Sequence, residues 1–533
     1  MLMSHFEEVS LSGINDENEN CETPLMTAIE NARNESIYLI QFLIEHTTNV
    51  LKKDKFDNNI WHHLCLNKYL NKEDLKTVTN MLRSHFEDVN LCGIADENDN
   101  GETPLMIAIK KGRNESIYLI QFLIEHTTNV LKRDKFGNNI LHHLCWNEYL
   151  DKEDLKTITN MLRSHFEDVN LSGIDDENKD RKTPLMIAIE KASWKSIDLI
   201  QFLIEHTANV LKKDKFDNNI WHHLCLNRHL DKYILYKVTN MLRSHFEDVN
   251  LSGIDDENKD RKTPLMIAIE KATYKSMDLI QFLIEHTANV LKKDKFDNNI
   301  WHHFCLNEDL DEVDLETVTN MLMSHFEDVN LSGIDDDNKD RKTPLMIAFE
   351  KARDESINLI QFLIEHGANV FNKDKFGNNI WHHLCLNRHL DKYILYKVTN
   401  MLRSHFEDVN LSGIDDENKD RKTPLMIAIE KATYKSMDLI QFLIEHTANV
   451  LKKDKFDNNI WHHFCLNEDL DEVDLETVTN MLMSHFEDVN LSGIDDDNKD
   501  RKTPLMIAIE KARDESIDLI QFLIEHIKCS QEG

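Results

Sequence analysis

Thr103-Pro104-Leu105-Met106-Ile107-Ala108-Ile109 decides the fold. The stretch recurs, with small changes, at Thr23, Thr183, Thr263, Thr343, Thr423 and Thr503, and the spacing is 80 residues every time. A fixed period of this kind marks a repeat array and not a single large core. Thr before Pro is a helix start. The Thr hydroxyl can accept a bond from a backbone N–H of the first turn, and Pro fits where its missing N–H costs nothing. Leu, Ile and Ala then fall on a face that can pack.

Working outward, each period reads as four helices. In the second period they run from Thr103 to about Lys111, Glu115 to His126, Ile140 to about Asn147, and from a cap at Asp151 onward. Ile117, Ile120, Leu123 and Ile124 stand at helical spacing, as do Leu155, Ile158, Met161, Leu162 and Phe166. Two loops complete the period. One holds Lys132-Arg133-Asp134-Lys135-Phe136-Gly137, and a longer polar one runs from Glu167 to Lys182. All seven prolines lie in the Thr-Pro-Leu-Met copies, so the rest of the chain is compatible with helix and short turns. Residues 221–348 and 381–508 are identical, which indicates duplication of two whole periods.

The repeats set the expected organisation. Residues 1–20 read as the second half of a unit, because Met1-Leu2-Met3-Ser4-His5-Phe6 matches Met321-Leu322-Met323-Ser324-His325-Phe326. A truncated or mis-assigned start is expected there. Residues 21–526 read as a continuous solenoid and 527–533 as a polar C-terminal tail.

The chain then resembles a known family. Asn369-Val370-Phe371-Asn372-Lys373-Asp374-Lys375-Phe376-Gly377-Asn378-Asn379-Ile380-Trp381-His382 is similar to the junction between ankyrin repeats, and Gly367-Ala368-Asn369-Val370 is the best copy of its Gly-Ala-Asp-Val part. Thr-Pro-Leu-Met repeats alternate with repeats carrying Asn-Ile-Trp-His, or Asn-Ile-Leu-His at Asn139. The resemblance implies an all-α ankyrin-repeat solenoid of stacked antiparallel helix pairs with hairpin-like finger loops. It also implies protein binding without catalysis, on the concave face made by first helices and fingers. The sequence departs from the family in three ways. Thr-Pro-Leu-Met lacks the family's bonding His, which the other repeats keep (His62, His142, His222, His302, His382, His462). The Gly after the second helix survives only at Gly367, with Thr287 or Phe246 standing at other copies. The loop from Val249 to Lys262 is about five residues longer than in the family.

Charge and cysteine usage exclude several classes. A net charge of −34 should repel phosphate backbones and anionic lipid, so nucleic acid is not an expected partner. A protein surface of basic or mixed charge suits it better. No run of about 18 apolar residues occurs, so no membrane partnership is expected. Cys65, Cys145, Cys225, Cys305, Cys385 and Cys465 recur one per period, too far apart for pairing in a stack, which favours a reducing cytoplasmic or nuclear compartment.

Chemistry finds little purchase. His222 and Cys225 share a helix face, but a tetrahedral zinc site needs four ligands. Asp96-Glu97-Asn98-Asp99-Asn100-Gly101 opens like a calcium loop, yet Ile107 stands where a bidentate Glu is required. Every Ser, His and Asp candidate recurs layer after layer, unlike a catalytic site. The expectation is no enzyme, no cofactor, no metal and no catalytic residue. Candidate partner contacts are the loop aromatics Phe56, Phe136, Phe216, Phe296, Phe376 and Phe456, with Lys215, Lys295 and Lys375 beside them. Whether these rings fold back or stand exposed is left open by the sequence. Trp194, Tyr274 and Tyr434, at turns between paired helices, form a second candidate edge. An interaction scaffold is the first functional expectation. A regulatory, host-directed array that masks or inhibits a partner is the alternative. Oligomeric state is not legible.

Overall fold

The computed structural model describes residues 13–532 apart from 48–49, 87–90, 128–129, 168–172, 207–208, 228–229, 246–250, 274–275, 287–289, 308–311, 326–332, 354–355, 388–389, 406–410, 434–435, 447–449, 468–471, 487–492 and 512–516. Among the described residues there are 26 α-helices and no strand. The first period supplies α1 (Pro24–Asn31), α2 (Ile37–His46), α3 (Ile60–Leu66) and α4 (Lys72–Phe86). The second supplies α5 (Pro104–Lys111), α6 (Ile117–His126), α7 (Ile140–Trp146) and α8 (Lys152–Glu167). The next four periods repeat this set, and the last supplies two helices, Pro504–Glu510 and Ile517–Glu532.

Two kinds of helix start alternate. In α5 the Thr103 hydroxyl accepts from the Met106 N–H at 3.3 Å, with Pro104 in the first turn. In α7, which has no proline, Asn139 takes over. Its Oδ1 accepts from the N–H groups of Leu141 and His142, and its Nδ2 donates to the Gly173 carbonyl at 2.8 Å. One amide thus caps its own helix and ties down the long loop that follows. At 221 a Trp replaces the family's Leu, and its indole N–H donates to the Ser252 carbonyl at 3.2 Å, in that same loop. The extra residues of the loop are a turn, Leu251 to Ile254, whose Ile254 side chain is buried.

First helices pack on first helices and second on second, α1 against α3 against α5 and α2 against α4 against α6. The chain divides into two compact units, 1–259 and 260–533, and the same layering holds within each. The core lies between the two helix rows. Leu105, Met106, Ile109, Ile120, Leu123, Ile140, Leu144, Leu155, Ile158 and Leu162 are buried, as the helical spacing requires. Cys145 and its equivalents are buried free thiols, and burial pushes each well above the ordinary thiol range.

The end of the second helix differs from the family. Gly367 adopts φ +90°, the family's turn. Thr47 stands at φ −80° instead, with its hydroxyl donating to the Leu43 carbonyl at 2.5 Å. At Thr47, and at Thr127 with φ −101°, the turn has therefore changed and carries no positive-φ strain. Thr287 and Phe246 lie outside the described residues. At the other end, the helix Ile517–Glu532 runs through the residues read as a polar tail.

Candidate partner-binding surface

Each aromatic-bearing loop is a finger closed by one carboxylate. Asp134 Oδ1 accepts from the N–H groups of Phe136 and Asn138, both at 2.8 Å, while its Oδ2 accepts from Asn138 Nδ2. The turn brings residue 137 to φ +80°, suited to Gly. Gly377 fills the equivalent place, but Asp57, Asp217, Asp297 and Asp457 also hold positive φ.

The fingers are stitched together through the backbone. Lys135 N–H donates to the Asn100 carbonyl, and the Phe136 carbonyl accepts from Lys179 N–H, both at 2.8 Å. The same rungs recur at Phe56 and Phe216 in the first unit and at Phe296, Phe376 and Phe456 in the second. The backbone of each candidate Phe is therefore fixed while its ring points outward. Exposure runs from 52% at Phe56 to 62% at Phe136, which settles against fold-back packing.

The lysines have intramolecular work. Lys215 Nζ lies 5.0 Å from the Phe216 ring centroid and 2.7 Å from Asp180. Lys295 repeats this with Phe296 and Asp260, and Lys375 with Phe376 and Asp340. A neighbouring lysine of the basic finger, or Arg133 in the second period, reaches the acidic finger on the other side, as in Lys213–Asp256 at 2.8 Å and Lys293–Asp336 at 2.8 Å. The alternation of basic and acidic fingers is largely neutralised finger to finger. It holds the rings in place more than it offers charge to a partner.

Beneath each finger lie two buried histidines of opposite character. The first is the family's bonding His. Asn379 N–H donates to His382 Nδ1, so Nε2 carries the proton and donates to the Lys422 carbonyl at 3.1 Å. Burial lowers its pKa to about 4 and keeps it neutral. His62, His142, His302 and His462 make the same bond to the carbonyls of Glu102, Lys182, Lys342 and Lys502. The second, His383, stands between Glu350 at 3.2 Å and Asp374 at 3.3 Å. Burial works against its charge, but the two carboxylates outweigh it and raise its pKa. Bonding to His383 draws Glu350 down to about 2, and bonds from His383 and Asn378 overcome burial to hold Asp374 at about 2. His463 repeats the arrangement with Glu430 and Asp454. Sequence reading missed this second set. The signal was present in the constant His-His pair and in the acidic residue that ends every Thr-Pro-Leu-Met helix but the second.

The second period varies the theme. Lys110 replaces the helix-end acid and pairs with Glu102 at 2.6 Å, and Glu102, Asp134 and His143 bring ligand atoms within 4.8 Å of one another. The ammonium already in place, and the bond from His143 to Asp134 at 3.1 Å, satisfy this cluster internally. His222 and Cys225 bring no third metal ligand with them among the described residues. Trp194 is exposed on a turn between paired helices, whereas Tyr274 and Tyr434 lie outside the described residues. Among the described residues no helix is long and apolar enough to cross a membrane.

Comparison with known proteins agrees with this geometry. The family model for three ankyrin repeats matches residues 68–170, 265–374 and 351–454, and the single ankyrin repeat model matches 180–215. An I-Kappa-B like protein of Microplitis demolitor bracovirus is 30% identical over 151 residues, 28% of this chain and 74% of that protein. A putative ankyrin repeat protein of Acanthamoeba polyphaga mimivirus is 23% identical over 201 residues, 37% of this chain and 24% of the relative. The chain thus spans about a quarter of the mimivirus protein and about three quarters of the bracovirus one. The alternating Thr and Asn helix starts, the bonding histidines and the stitched fingers are variations within one architecture, and the chain belongs to the ankyrin-repeat family.

Proposed function

We propose that this chain is a non-catalytic scaffold that holds a protein partner across its fingers and first helices, with Phe56, Phe136, Phe216, Phe296, Phe376 and Phe456 as anchors. Ankyrin repeats generally mediate protein–protein interaction and are generally non-catalytic. The observation that carries the reading is the half-exposed Phe on every second finger, held by backbone rungs on both sides. Aromatic side chains that are rigid before binding lose little freedom on burial, which is what an anchor needs. Within each unit, with layers about 10 Å apart, successive rings stand roughly 20 Å apart. An extended partner would meet them every six or so residues, and a helical one about every thirteen. Lys215, Lys295 and Lys375 act mainly by holding the rings. The acidic excess of −34 steers a partner of basic or mixed charge and disfavours nucleic acid. A cytoplasmic or nuclear site fits the buried thiols of Cys65, Cys145, Cys225, Cys305, Cys385 and Cys465.

A second reading has a specific support. The bracovirus relative is named an I-Kappa-B like protein, and an array that masks its partner, in a host cell, fits the same surface. Loss of the partner's own activity on binding separates masking from scaffolding.

The test is capture from the native cell by the full chain, with mass spectrometry, repeated with Phe216, Phe296 and Phe376 changed together to Ala. The expected result is loss of the captured protein with unchanged helicity. Equal capture by the folded triple variant would remove these residues from the surface.

A further inference from the structure

A second binding position lies away from the fingers, at the turns that join paired helices. A cavity of about 260 Å³ opens there between the helix Ile140–Trp146 and the turn 191–196 that follows the helix Pro184–Glu190. Leu144, Leu150, Leu155 and Leu199 make an apolar floor. Trp194 stands at the mouth, 56% exposed, with Lys195 beside it.

The turn differs from four of its six counterparts, while Thr273-Tyr274-Lys275 and Thr433-Tyr434-Lys435 keep an aromatic and a Lys at the same places. Arg33-Asn34-Glu35, Arg113-Asn114-Glu115, Arg353-Asp354-Glu355 and Arg513-Asp514-Glu515 occupy this place in four other periods. Here Ser193-Trp194-Lys195 removes the acid, moves the cation from the first place to the third and sets a large indole over the slot, the largest aromatic at this place in any period. Solvation does not account for an indole so placed, since Trp is favoured where one side is apolar and the other wet. The cavity is smaller than the roughly 300–1,000 Å³ of small-molecule sites, and suits one anchoring side chain. Charge defines the rest. Lys195 makes no ion pair among the described residues, and Lys191 has only a 3.7 Å contact with the largely exposed Glu148, a pairing of little strength. Two cations and one acid, Glu148, therefore flank the slot, a local excess of positive charge in a chain of net charge −34.

We infer that this cavity receives a bulky aliphatic or aromatic side chain from an acidic segment of a partner protein, with Trp194 covering the side chain and Lys191 and Lys195 meeting carboxylates next to it. The site is independent of the finger surface, so either can fail without the other.

The test uses the full chain and a short fluorescein-labelled peptide with a central Leu-Phe flanked by Glu and Asp, read by anisotropy. A control peptide carries Lys in place of each acid. The acidic peptide should bind, the control should not, and affinity should fall with added salt. Lys195→Glu and Trp194→Ala should each weaken binding by about tenfold or more, the range of an interface anchor, while Tyr236→Ala, an exposed aromatic on the helix Lys232–His245, leaves it unchanged. Circular dichroism confirms that the variants fold, and Lys195→Glu alone decides if Trp194→Ala does not. No binding of the acidic peptide, equal binding of the control, or unaltered affinity in the folded variants would overturn the assignment.

Discussion

His382 and His383 are sequence neighbours that respond to acid in opposite senses. His383 binds its proton more tightly when folded, so its contribution is complete below the unfolded value of about 6.5 and drains away as pH rises through the raised folded value. His382, at about 4 when folded, favours the unfolded chain as pH falls from about 6.5 toward 4. Glu350 and Asp374, both held at about 2, add a further loss as pH drops below about 4.5. The expected outcome is a melting temperature highest near pH 6.5 and lower on both sides. His383→Gln should lower it, flatten the alkaline side and also soften part of the acid loss below about 4.5, since Glu350 and Asp374 lose the partner that holds them down. Thermal denaturation from pH 3 to 9 checks this, and an alkaline slope unchanged in the variant would contradict it.

The finger is the element where local chemistry and strain meet. Helix starts were legible in the sequence, because Thr-Pro and the spacing of Leu and Ile are instructions confined to a few residues. The family resemblance likewise gave the place of the bonding His. The finger's internal closure by Asp134 and its equivalents was not legible, since it depends on which of several Asp and Lys residues face one another after folding. The exposure of the Phe rings was undecidable for the same reason. One consequence is testable. Asp297 holds φ +64° where Gly377 serves in another finger, and its ion contact with Arg261, at 3.7 Å on the surface, is weak. Asp297→Gly should therefore stabilise the chain by up to about 1 kcal/mol, as relief of left-handed strain outweighs added chain entropy. Urea denaturation reads the change, and a loss of stability would show that the aspartate earns its conformation by other contacts.

At the scale of the molecule, the contacts that matter join nearest layers. Helix rows, finger rungs, bonding histidines and finger ion pairs all span one layer to the next. Stability should then be roughly a sum of layers and their junctions. Basic and acidic fingers alternate, so a layer tolerates only neighbours of the other kind. Removing Thr343–Lys422, one whole period, joins Lys342 to Thr423 and keeps the alternation. Removing only Asn379–Lys422 joins two layers of one kind. The first deletion should fold with a modest loss in melting temperature, and the second should lose cooperative unfolding. Circular dichroism melts of the two distinguish them, and equal behaviour would show that the alternation is incidental.

The stitched fingers also bear on ancestry. Unequal recombination that adds a lone layer would set lysine against lysine and leave backbone rungs mismatched, whereas inserting a matched pair preserves every junction. Lineages carrying such genes should lengthen or shorten in even steps, and the identical tracts 221–348 and 381–508 record one such event.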